Sequence, residues 1–175
     1  MEELVNKAKK GDIDAYTNLI LLIRNDLYKI CKTRIFDDND IEDIIQDTMI
    51  QTFKKIKFLK NSQKFKSWII KILINNCNNY YRIKSRNKEI DFNNSYIKEL
   101  SQNNIDIIDD NINFYQLLSI LEYEERIIII LYYSERFTFK EISKILKINE
   151  NTIKTKMRRA KDKIKEDIEG GIQVG

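Results

Sequence analysis

The 175-residue chain contains no proline, no histidine, four glycines and two cysteines. Without proline and with little glycine, few breakers interrupt a sequence dominated by isoleucine, leucine, lysine and asparagine, and helices are favoured. The absence of histidine excludes imidazole acid–base catalysis and histidine ligation of zinc. Nothing in the spacing of Cys31 and Cys77 implies a disulfide framework or a metal cage, and two buried free thiols are expected. No metal and no cofactor are called for. No apolar run approaches the ~20 residues of a membrane span. Met1–Lys10 is charged and lacks the apolar core of a signal peptide. A cytoplasmic protein with no direct membrane insertion is therefore expected.

A large excess of one charge is also missing. Thirty-one lysines and arginines face 27 acids, for a net charge of +4. Such mild basicity does not identify a nucleic-acid binder, and the placement of the cations has to decide.

The hydrophobic pattern divides the chain into two helical parts. Asp12 is a candidate N-cap, and Tyr16, Ile20, Ile23, Leu27 and Ile30 follow at helical spacing, predicting a helix that ends near Arg34. Asp37–Asp40 reads as a turn with Asp40 capping the next helix. That helix carries Ile41, Ile44, Ile45, Met49 and Phe53 on its inner side. A lysine-rich stretch breaks near Asn61 and Ser62, and a further helix runs from about Ser67 to Arg82. Composition then shifts to asparagine and aspartate. The expectation is an all-α protein of two small domains, 1–84 and 114–169, joined by a flexible acidic linker over 85–113, with a frayed tail over 170–175.

In the second part, Thr138 and Glu141 fit a capping box that starts a short helix with Phe139, Ile142, Ile145 and Leu146 inward. Lys147–Asn149 makes a tight turn, and Asn149 caps a second helix. There Ile153, Met157, Ala160, Ile164 and Ile168 form an apolar stripe. Lys154, Arg158, Lys161 and Lys165 form a cationic one, with Arg159 and Lys163 extending the charged side. From Lys154 to Lys165, seven cations accompany the single Asp162. A short capped helix, a tight turn and a basic helix suit a major-groove reader, although a solvated lysine-rich face has the same charge pattern.

The run Arg126–Ile168, and within it FKEISKILKINENTIKTKMRRAKDKI, resembles region 4 of the sigma-70 family of bacterial RNA polymerase subunits. That resemblance implies recognition of the promoter −35 element by Lys154, Thr155 and Arg158, with Lys156 and Arg159 nearby for phosphates. Lys154 and Lys156 stand where the family often has arginine. DIEDIIQDTMIQTF, Asp40–Phe53, resembles sigma region 2.2, which binds the clamp helices of the polymerase beta-prime subunit. Asp43, Gln46, Asp47 and Ile50 fall on one helical face that could meet that partner, though an acidic face can also be merely solvated. FKSWIIKILINNCNNYYRIKSR, Phe65–Arg86, resembles regions 2.3 and 2.4, which the family uses on the melted −10 element. There Lys71, Asn75, Asn78 and Arg82 share a face, while Trp68, Tyr80 and Tyr81 offer rings on which a base could stack or which could belong to the core. Ala8–Ile20 resembles region 2.1. With no room for regions 1.1 or 3, the chain resembles the compact extracytoplasmic-function group, with the clostridial toxin-gene sigma factors as a close neighbouring group.

The resemblance implies core RNA polymerase as a partner, through the beta-prime clamp helices and the beta flap. It also implies promoter DNA and an anti-sigma factor. It implies no catalytic site. Two other readings compete. A stand-alone helix-turn-helix regulator would bind duplex operators unaided. A helical adaptor would turn its basic face to an acidic protein. A nuclease is disfavoured, since Glu42, Asp43 and Asp47 have no second acidic cluster to complete a metal site.

Overall fold

The computed structural model describes residues 1–86 and 118–172, with side chains described as far as Glu169. The expected linker falls almost wholly outside these residues, as does the resumption of helix signals at Phe114. Among the described residues every regular element is helical. The chain divides into two compact units, Met1–Ile83 and Lys84–Gly175.

The first unit holds α1 (Glu2–Lys9), α2 (Ile13–Lys32), α3 (Asp38–Lys55) and α4 (Phe65–Arg86). Gly11 turns the chain between α1 and α2 at φ +96°, where a side chain would be strained. Asp12 then caps α2 by accepting from the Ala15 amide at 2.9 Å. The apolar stripe of α2 is buried, with Leu19, Ile23, Leu27 and Ile30 almost fully enclosed. Ile41 and Ile45 of α3 and Phe65, Ile69, Ile70 and Leu73 of α4 complete this core. Each such side chain contributes roughly 1.5–3 kcal/mol.

The cap of α3 is Asp37 rather than Asp40. Its carboxylate accepts from the amides of Asn39 and Asp40 at 2.9 and 3.0 Å. Asp38 and Asp40 thus lie in the first helical turn, where the N-terminal end of the helix dipole favours negative charge. They are also tied tertiarily: Asp38 meets Lys32 at 2.8 Å, and Asp40 accepts from the Tyr80 hydroxyl. The inner side of α3 differs from expectation at its far end. Phe53 is 46% exposed and packs edge-on to Tyr16, with ring centroids 5.0 Å apart. Thr48 and Thr52 occupy the inner positions instead. Each hydroxyl donates to the carbonyl four residues earlier, at 2.8 and 2.6 Å, so neither threonine hydroxyl is left unpaired by burial.

Two 3₁₀ turns, Ile56–Phe58 and Ser62–Lys64, bridge α3 and α4, and Asn61 caps the second. Asn76 fastens the two helices together. It donates to Thr48 at 2.9 Å and accepts from Gln51 at 3.1 Å.

The described part of the second unit contains α5 (Tyr123–Ile129), a π-helical turn (Ile130–Ser134), α6 (Phe139–Leu146) and α7 (Glu150–Ile172). The unbroken run Ile127–Leu131 is buried throughout. The capping box at Thr138 and Glu141 forms as expected. Lys147 closes α6 in the left-handed conformation, φ 58°, and Asn149 caps α7 by accepting from Asn151 at 2.9 Å. Ile153, Met157 and Ala160 are buried, whereas Ile164 is half-buried and Ile168 is 47% exposed. The eight-residue α6 is far shorter than the 23-residue α7 that it packs against. The inward stripe therefore ends sooner than its spacing predicts, and α7 continues past Ile168 to Ile172.

Candidate nucleic-acid interface

Burying Ile153, Met157 and Ala160 orients α7 and turns its opposite side to solvent. Lys154, Thr155, Arg158 and Arg159 are all exposed there. Lys154 pairs with Glu150 at 2.9 Å, and the Thr155 hydroxyl donates to the Asn151 carbonyl at 3.0 Å. Both are local, exposed contacts that a nucleic acid could displace cheaply. Lys156 differs, because it is largely covered and held by Glu124 of α5 at 2.8 Å. Lys163 is likewise drawn inward, to the buried Glu125, at 2.8 Å. Lys161 lies over the Tyr133 ring, 5.6 Å from its centroid, and its contact with the Tyr133 hydroxyl raises its pKa. The seven cations are therefore not equivalent, and Arg158 and Arg159 emerge as the outward pair.

The exposed side of α6 adds Lys140 and Lys144, and Lys147 follows in the turn. In a helix-turn-helix the first helix crosses the phosphate backbone, where exposed lysines could make positioning contacts. They lie opposite the inward residues Ile142 and Ile145, the face that the capping box and apolar spacing make visible in the sequence. Their three- and four-residue spacing was the available signal.

In the first unit, Asn75, Asn78 and Arg82 of α4 are exposed in one row with the half-buried Lys71. Their surroundings separate them. Asn78 accepts from Arg34, and Arg82 donates to Asn79 at 2.8 Å. The Arg34 guanidinium also lies 3.8 Å from the centre of the Tyr81 ring. One face of Tyr81 is thus occupied, and Tyr80 is committed to Asp40 through its hydroxyl. Trp68 is half-buried, with its ring centroid 6.1 Å from that of Phe65.

Asp43, Gln46, Asp47 and Ile50 are exposed along one ridge of α3, and Phe53 continues it. This ridge mixes carboxylates with two exposed apolar side chains, a composition suited to a protein partner. Glu42 stands apart, held by Arg24 through both carboxylate oxygens at 2.8 and 2.7 Å. Among the described residues, no three acids or cysteines gather as metal ligands. No described helix is long and apolar enough to cross a membrane.

In the second unit, Leu118, Ile129, Tyr133, Ile164 and Ile168 line an open groove of about 520 Å³, rimmed by Lys161, Lys165 and Glu169.

Comparison with known proteins covers both units. Residues 19–87 match the family model for sigma-70 region 2, and residues 112–164 match that for sigma-70 region 4. The chain is 28% identical to the RNA polymerase sigma factor SigV of Bacillus subtilis over 137 residues, covering 78% of this chain and 81% of the relative. It is 22% identical to the ECF RNA polymerase sigma factor SigW of the same organism over 181 aligned positions, covering 96% of each. Among solved structures, CnrH bound to the cytosolic domain of CnrY aligns with a TM-score of 0.70 at 16% identity, covering 97% of both chains. The Bartonella quintana sigma factor RpoE, bound to the anti-sigma factor NepR, aligns with a TM-score of 0.66 at 20% identity, covering 90% of this chain and 98% of that one. At such identities these two likenesses establish the fold.

Proposed function

Because the chain belongs to the sigma-70 family, as an RNA polymerase sigma factor of the extracytoplasmic-function group, we propose a division of its work among three surfaces. The exposed face of α7, led by Arg158 with Lys154 and Thr155, reads the −35 element in the major groove. Arg159 and the lysines of α6 hold phosphates. Lys156 enters only if it leaves Glu124. The row Lys71, Asn75, Asn78 and Arg82, with Trp68 beside it, meets the opened −10 strand. The ridge Asp43, Gln46, Asp47 and Ile50 docks on the beta-prime clamp helices. The apolar groove beside Ile164 and Ile168 receives the beta flap. The units are assigned as 1–84 and 114–169, with the connector between them and a short tail beyond.

On this reading the protein has no catalytic site and works by binding, in the cytoplasm where its polymerase is. Extruding a base costs a few kcal/mol, offset by stacking and hydrogen bonds to the captured strand. An anti-sigma factor is proposed as a further partner, as NepR is for the Bartonella quintana protein.

The observation that carries the −35 assignment is the orientation of α7. Its buried seam and its two outward arginines lie on opposite sides of a capped helix-turn-helix. Run-off transcription with purified core polymerase, with and without the protein, on fragments of the source genome tests the whole reading. Discrete protein-dependent transcripts are expected. Absence of transcripts together with absence of a complex on gel filtration would overturn it. The stand-alone regulator is not favoured, because it gives no role to the first unit.

A further inference from the structure

Cys31 and Cys77 have no part in the reading above. They are the only cysteines of the chain and stand 46 positions apart, yet their sulfurs lie 3.6 Å from each other. A buried residue touches roughly 6–12 others, so two residues placed at random in a chain of this size would meet about once in twenty. Cys31 sits in the last turn of α2 and Cys77 in the middle of α4, and both are buried, at 0% and 2% exposure. No other metal-ligating side chains gather with them among the described residues, so the pair is a dithiol rather than part of a metal site. Three residues after Cys31, Arg34 reaches Asn78 and Tyr81, the first and fourth residues after Cys77. The sulfurs therefore lie beside the contacts that tie the end of α2 to the exposed row of α4.

We propose that Cys31 and Cys77 are a reversible dithiol–disulfide pair that locks α2 to α4 under sustained exposure to a peroxide. Closing the gap to a disulfide bond of about 2.05 Å asks each sulfur to move by under ~1 Å, within reach of small side-chain rotations. The hydrogen-bonding contact between the sulfurs, then burial, push the Cys31 thiol well above the ordinary range. In the closed fold burial keeps both sulfurs out of a peroxide's reach, so oxidation proceeds through local opening of the helix packing. In the opened form one thiol gives up its proton and its sulfur attacks a peroxide oxygen. The O–O bond breaks, a sulfenic acid forms, and water or an alcohol leaves. The second thiol attacks that sulfur, the S–S bond forms, and the sulfenic oxygen departs as water. The two thiols lose two electrons and two protons, which the peroxide takes up. A dithiol reductant reverses the reaction by exchange.

The test uses the full chain, incubated with hydrogen peroxide in a low urea concentration that permits local opening without global unfolding. Mass spectrometry of the intact protein and of its peptides reads the product. The expected result is a monomer lighter by two hydrogens, with a Cys31–Cys77 cross-linked peptide that dithiothreitol releases. The oxidised protein should melt higher by about 10–30 °C, as expected for closing so long a loop within a small unit. Cys31→Ala and Cys77→Ala should each abolish both changes. Persistence of two free thiols, sulfinic or sulfonic acids without a cross-link, or disulfides only between molecules would overturn the proposal. The mapping on the parent chain decides even if an alanine variant folds poorly.

Discussion

An arginine can place two parallel hydrogen bonds on one guanine, whereas a lysine presents a single mobile charge. Arg158 should therefore carry more −35 discrimination than Lys154, although both are exposed on the same side of α7. Lys154→Ala with Arg158→Ala is expected to lower transcription from a −35-dependent promoter by about 10- to 100-fold, as follows from roughly 1–3 kcal/mol per lost base contact. Binding to core polymerase, read by gel filtration, should not change. Asp43→Ala with Asp47→Ala should do the reverse, weakening the polymerase complex while sparing DNA contacts. Equal loss of polymerase binding in both variants would refute the division of surfaces. Asp38 offers a pH prediction. Its hydrogen bond with Lys32 lowers its pKa from the ordinary 3.8. A carboxyl depressed in the folded state stabilises fully above its unfolded value, and that share fades as pH falls through the lowered one. The side chain is 65% exposed, so the effect is small. Asp38→Asn should melt slightly below the parent at neutral pH, and the difference should vanish in acid.

Single helices show how the surfaces are aimed. α6 begins in a reciprocal cap, with the Thr138 hydroxyl accepting from the Glu141 amide and Glu141 reaching back to the Thr138 amide at 3.1 Å. α6 holds Ile142 and Ile145 in the core that α7 packs against. Loss of the cap thus loosens the placement of Arg158 and Arg159. Thr138→Ala should destabilise the second unit by about 1 kcal/mol, read by thermal unfolding. α3 works differently. Its buried threonines satisfy their own hydroxyls within the helix, so the inner face can be polar in sequence and dry in structure. That arrangement turns Ile50 and Phe53 outward beside Asp43 and Asp47.

For the whole molecule, the modest net charge of +4 makes DNA affinity depend on local cations rather than on a general field. Each phosphate contact releases counterions, so affinity should fall steeply as salt rises. Measured as the polymerase complex on promoter DNA, Arg159→Ala should reduce the slope of log K against log salt by about 1. Lys156→Ala should change that slope much less, because Glu124 already neutralises its ammonium. Equal slopes for both variants would show that the Lys156–Glu124 pair opens on DNA.

The two helical units, the capping box at Thr138, the turn before Asn149 and the buried seam through Ile153 and Met157 were legible in the sequence. Each depends on near neighbours along the chain, and helical spacing places a residue on a face whatever lies elsewhere. The family was legible for a related reason, since the segments that match its two regions are themselves local stretches of helix in a fixed order along the chain. What spacing could not reveal depended on partners distant in sequence. Asp37 and Asp40 are equally good caps locally, and the ties from Asp38 and Asp40 to Lys32 and Tyr80 accompany the choice of Asp37. Phe53 reads as core by its spacing, yet it lies half-exposed against Tyr16 while Thr52 takes the inner position with its hydroxyl bonded within the helix. Lys156 and Arg159 read alike as cations until Glu124 takes one of them inward. Cys31 and Cys77 read as two separate thiols, and only the packing of α2 against α4 brings their sulfurs into contact, because tertiary contact depends on how helices dock and not on distance along the chain.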